Sequence, residues 1–86
     1  MSSERSLFQQ VVAKSASREI RHEAIHELGQ LDAVSQLATI TRTNGIHGSL
    51  RREAVSELRG IGATAALESI AADRTVDTAI RKQARQ

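Results

Sequence analysis

The residues His22-Glu23-Ala24-Ile25-His26 spell HExxH. On a helix, two His four positions apart share a face and can hold zinc, while the Glu between them activates the metal's water. His47 or Glu53 would then be the nominal third ligand. The rest of the chain reads these letters differently. Ile20-Arg21-His22-Glu23-Ala24 is echoed thirty residues on by Leu50-Arg51-Arg52-Glu53-Ala54, and again by Ile80-Arg81-Lys82-Gln83-Ala84. Glu23 and Ala24 recur, so they belong to a helix pattern, whereas the two His fall where the next repeat has Arg52 and Ser56. Zinc proteases also align substrate along a sheet edge, and no strand pattern occurs here. No catalytic, cofactor-binding or metal residue is assigned, and His22 with His26 amounts at most to a two-ligand pair.

The remaining chemistry lies in the cations. Arg21, Arg51 and Arg81 recur one repeat apart, and the expected role for them is pairing with carboxylates such as Glu23, Glu53 and Asp77, worth little where exposed. Positions where the repeats differ are better candidates for contact with a partner. These are His22, Arg52 and Lys82 in one row, with Arg59 and Arg85 adding to it where acids thin out. Phe8, the only aromatic residue, stands where the other repeats have Ala38 and Glu68. It is expected to fold over the first hairpin as a cap, with a role as partner anchor the alternative.

Repetition at one period is the mark of a solenoid, and three phases hold it: Leu7/Leu37/Leu67, Ala16/Ile46/Val76 and Ile20/Leu50/Ile80. The apolar spacing of Ile20, Ala24, Leu28 and Leu31 predicts an amphipathic helix over 18–30, started by Ser17 as N-cap. A second helix over 33–43 buries Val34, Leu37 and Ile40 and is expected to stop at Asn44-Gly45 through a left-handed cap. The pair repeats through Leu50, Ala54, Leu58 and Ile61, then Ala66, Leu67, Ile70 and Ala71. Asp77 is expected to cap a last helix, and Leu7, Phe8, Val11 and Val12 mark a first one. The expectation is therefore all-α, a right-handed solenoid of antiparallel hairpins with about six helices. One domain, 1–86, divides into an N-terminal half-repeat (1–16), two repeats (17–46 and 47–76) and a C-terminal half-repeat (77–86). The Leu and Ile ladders are the expected glue between them.

The run Ile-Arg-His-Glu-Ala-Ile-His-Glu-Leu-Gly-Gln-Leu and its echo Leu-Arg-Arg-Glu-Ala-Val-Ser-Glu-Leu-Arg-Gly-Ile-Gly resemble a HEAT-like repeat. The thirty-residue period is similar to the short form in phycobilin lyase subunits and deoxyhypusine hydroxylase, and the likeness covers residues 7–86. It implies the fold and leaves function open, since such repeats serve many tasks. Deoxyhypusine hydroxylase holds two irons with His-Glu pairs in several repeats. Here His22-Glu23 matches one pair, but Arg52-Glu53 and Lys82-Gln83 do not, so that activity is not carried over. A lyase role survives only as analogy.

Composition bounds the rest. Eighty-six residues with no Cys exclude disulfides and cysteine metal sites. The opening Met-Ser-Ser-Glu-Arg lacks the apolar core of a secretory signal, and no apolar run suits a membrane span, so a cytoplasmic location is expected. The net charge is only +2, but residues 44–86 hold seven basic against five acidic side chains, and 1–43 five of each. Without Tyr or Trp there is no stacking platform for single-stranded nucleic acid. The expected function is non-enzymatic: a scaffold that binds another protein. The alternatives are a phosphate or nucleic-acid backbone binder using the same basic row, and an accessory subunit of a lyase-type or metal-dependent enzyme. A helix of the second kind at the front and one of the first kind at the back would also permit weak self-association through open ends.

Overall fold

The computed structural model describes residues 3–86, and every regular element among them is an α-helix. The six are α1 (Glu4–Val12), α2 (Arg18–Gln30), α3 (Val34–Arg42), α4 (Gly48–Ile61), α5 (Thr64–Ala72) and α6 (Thr78–Arg85). No helix among the described residues is long and apolar enough to cross a membrane.

Local chemistry starts these helices. The Ser17 hydroxyl accepts from the Ile20 backbone N–H at 3.2 Å, as expected, and Ser3 does the same for Ser6 at 3.1 Å. His47 caps α4 through Nδ1, which accepts from the Ser49 N–H at 3.1 Å. Among the described residues His47 does not join the HExxH pair in a three-residue group that could hold a metal. Asp77 occupies the N-cap position of α6 but makes no side-chain cap bond, because its carboxylate turns to Arg51.

The thirty-residue echo persists in the backbone. Ala16, Ile46 and Val76 each donate an N–H at 3.1 Å to the carbonyl three residues earlier, of Ala13, Thr43 and Asp73. Likewise Ala33 donates to Leu28 and Ala63 to Leu58, both at 3.0 Å. This second turn needs a left-handed residue, which is Asp32 (φ 54°) in one copy and Gly62 (φ 77°) in the other. The left-handed cap expected at Asn44-Gly45 is absent. Instead, α3 leaves through extended Thr43 (φ −87°, ψ 104°), a conformation shared by Ala13 and Asp73 and open to any residue.

Packing puts α2, α4 and α6 side by side in one row and α1, α3 and α5 in a second. Helices α1–α2, α3–α4 and α5–α6 pack as neighbours joined by the five-residue turns 13–17, 43–47 and 73–77, and α2–α4 is as closely packed as these. So α1 and α6, expected as half-repeats, each have a hairpin partner. Leu7, Val11, Ile25, Leu28, Leu37, Ile40, Leu50, Val55, Leu58, Ile70 and Ile80 form one continuous core. Two ladders break at their ends. Ile20 is 47% exposed whereas Leu50 and Ile80 are buried, and Leu67 is only half-buried beside Leu7 and Leu37. Leu31, expected on the buried stripe of α2, is likewise exposed at 49%. The letters repeat, but the neighbours that would cover them do not.

Candidate functional site

Two of the three recurrent arginines, Arg21 and Arg51, turn out to build the fold. Arg21 donates Nε to the Val11 carbonyl at 2.7 Å, and Arg51 donates Nε to the Thr41 carbonyl at 3.0 Å. Each guanidinium thus meets the last turn of the preceding odd helix, where carbonyls lack helical partners and the helix dipole is negative. Arg51 goes further, reaching Asp77 Oδ2 at 3.2 Å and Asn44 Oδ1 at 3.4 Å, and it is only 3% exposed. The expected pairing with a carboxylate holds for Arg51 and Asp77; the partner of Arg21 is a carbonyl. Arg81 departs from the pattern: its Nε is buried without a partner, and Nη2 donates to Thr78 Oγ1 at 3.1 Å. Arg21 and Arg51 are thus committed to acceptors within the fold. Nothing in the letters marks Arg51 as buried, except that it recurs where its neighbours vary.

The adjacent positions behave differently. His22, Arg52 and Lys82 are spaced thirty residues apart on α2, α4 and α6, and α4 packs against both α2 and α6. His22 is half-buried, while Arg52 and Lys82 are exposed. Neither Arg52 nor Lys82 belongs to an ion pair among the described residues, where the pairs are His26–Glu57, Arg42–Asp73 and Arg51–Asp77. Gln83 ties the row together, donating Nε2 to the Arg52 carbonyl at 3.1 Å.

The other candidates lie elsewhere. Arg59 is drawn inward, with Nη2 donating to the Gln83 carbonyl at 2.6 Å and clamping α6 onto α4. Arg85 is exposed beside a groove of about 680 Å³ between α5 and α6, its Nη2 3.5 Å from the Ala71 carbonyl. Phe8 belongs to the other row of helices. It is half-buried against the core, and with Arg5, Ser35, Gln36 and Thr39 it lines a shallow cavity of about 390 Å³.

The HExxH residues occupy an open depression on α2 bordered by Arg18 and Glu19. His26 Nδ1 lies 3.3 Å from Glu57 Oε2, and the Glu57 side chain crosses the space that a Cβ on Gly29 would take. No group of three or more His, Asp or Glu among the described residues is arranged to hold a metal. The Thr75 hydroxyl and backbone N–H, followed by Arg42, hold Asp73 below the usual carboxylate value. The contacts are 2.6 Å from the hydroxyl, 2.9 Å from the N–H and 3.0 Å from Arg42 Nε, and they lock the turn before α6.

Comparison with family models, curated proteins and solved structures finds no match to the chain.

Proposed function

We propose that this chain is a HEAT-like, right-handed α-solenoid module that binds another protein without catalysing a reaction, through the basic row His22, Arg52 and Lys82. What carries this reading is the contrast between two sets of cations at neighbouring positions. Arg21, Arg51 and Arg59 have internal acceptors, whereas Arg52 and Lys82 are exposed and belong to no ion pair among the described residues. A guanidinium and an ammonium spaced along adjacent helices suit a partner that presents carboxylates, and Arg is prominent in interface hot spots.

The test is fluorescence anisotropy with a labelled acidic helical peptide. Wild type binds it, and Arg52→Glu with Lys82→Glu abolishes binding while the circular dichroism stays helical. Equal binding by both proteins would remove the row from the account. The same row supports a second reading, a phosphate-backbone ligand. An oligonucleotide bound more tightly than the peptide, with affinity falling steeply with salt, would favour that one.

A further inference from the structure

The step that carries α2 onto α4 and α4 onto α6 leaves two faces of the molecule uncovered. On α2, Ile20 is 47% exposed, while Leu50 and Ile80 at the same place are 0% and 2% exposed. Among the described residues, α4 and α6 each have an even helix packed before them and α2 has none. At the other end, α5 and α6 frame the groove of about 680 Å³, lined by Leu67, Ala71 and Ala84 together with Glu68 and Arg85. Leu67 is half-buried there although its counterparts Leu7 and Leu37 are buried.

We propose that these two faces dock onto each other between two copies of the chain, by one further application of the same step. Gln83 sets the register: its Nε2 donates to the Arg52 carbonyl at 3.1 Å and lies 3.3 Å from Ser56 Oγ. Repeated once, that contact brings Glu23 of a second copy against Lys82 and Gln86 of the first. The bond of Arg51 to Asp77 becomes, in the same way, Arg81 facing Ser17 of the second copy. Ile20 of that copy then takes the covered place of Ile80.

Charge favours this occupant over an arbitrary apolar helix. Residues 78–86 hold Arg81, Lys82 and Arg85 with no acid, and the incoming α2 carries Glu19, Glu23 and Glu27, all exposed. Opposite charges on the two faces steer the encounter and set its register. Because α1 and α6 already have hairpin partners, the second copy stacks as a whole hairpin, and the contact is heterologous and open to growth. Arg85 limits its strength. It occupies the place where Ile25 and Val55 are fully buried, so docking must strip water from a guanidinium. Arg85 is thus a brake on assembly.

This inference rests on the reading of the helices as stacked repeats, but not on the basic row as a partner site. Sedimentation velocity from micromolar to millimolar protein tests it. Wild type gains mass with concentration, and Arg85→Val does so at a concentration at least tenfold lower. Ile20→Glu, with a spoiled α2 face, and Lys82→Glu, with a spoiled α6 face, are each monomeric. Their equimolar mixture forms a 1:1 dimer that grows no further. Both substitutions fall on exposed residues, and circular dichroism checks that the helices persist. Arg52→Glu self-associates like wild type yet loses the acidic peptide, which separates this proposal from the partner-binding one. Monomers for wild type and Arg85→Val at millimolar concentration would overturn it, as would a mixture that stays monomeric or an Ile20→Glu protein that still dimerises.

Discussion

Replacing Arg51 by Ala is expected to be among the most damaging single changes outside the apolar core. Arg51 is 3% exposed, and its guanidinium holds the Thr41 carbonyl, Asp77 and Asn44 together, joining α4 to the end of α3 and the start of α6. A charge-assisted bond is worth about 1.5–3 kcal/mol, and truncation also leaves a buried carbonyl unpaired. Asp77 is 63% exposed on its side chain, so that pair adds less than about 1 kcal/mol. With the stem's packing included, the loss comes to about 3 kcal/mol. In a domain of this size that lowers Tm by roughly 12–24 °C. Thermal and urea denaturation followed by circular dichroism read it directly. Arg51→Lys keeps the charge without the planar fork and recovers less than half of the loss. Arg52→Ala, on an exposed neighbour, stays within about 0.5 kcal/mol of wild type. An Arg51→Ala melt no lower than that of Arg52→Ala would refute the assignment of recurrent arginines to the fold.

Leu58→Ala is expected to destabilise by about 2–5 kcal/mol, because Leu58 is fully buried, whereas Leu67→Ala costs less than about 1.5 kcal/mol. Urea midpoints of the two variants measure the difference. Gly62→Ala forces a Cβ into the left-handed region and costs about 1–2 kcal/mol. Gly45→Ala, at a position without positive φ and with open space around it, is neutral or stabilising by up to about 1 kcal/mol, reversing the order expected from Asn44-Gly45 as a cap. The depressed pKa of Asp73 contributes stability that is present above the unfolded carboxylate value, about 3.9, and is lost as pH falls through the lower folded value. Asp73→Asn should therefore flatten the fall in stability below about pH 4 and leave the neutral-to-alkaline limb unchanged in a pH series of melts.

Helix positions were legible because period and capping agreed: Ser17 starts α2 where the apolar spacing begins, and the turns recur every thirty residues. Burial was legible only in the middle of the array. Ile20 is followed by Arg, Glu and Ala at the same offsets as Leu50, yet exposure depends on whether another helix lies beyond, which a periodic pattern does not encode. The left-handed residue was misplaced because Asn44-Gly45 looks like a cap, although the turn it occupies is also made by Ala13 and Asp73 with no glycine. Arg51 was hidden for a related reason. An arginine beside another arginine on an amphipathic helix reads as solvated, and its distant acceptors, ten residues back and twenty-six ahead, meet only in the fold. The row of His22, Arg52 and Lys82 could be found in the letters, since variation at a fixed repeat position separates it from the recurrent Arg21, Arg51 and Arg81.

That separation of structural from contacting cations is tested most directly by NMR titration of the labelled chain with an acidic helical peptide. The predicted result is a set of saturable amide shifts centred on His22, Arg52 and Lys82, absent in the Arg52→Glu, Lys82→Glu protein. Shifts centred on Phe8 and the α1–α3 cavity, or none at millimolar peptide, would contradict the account.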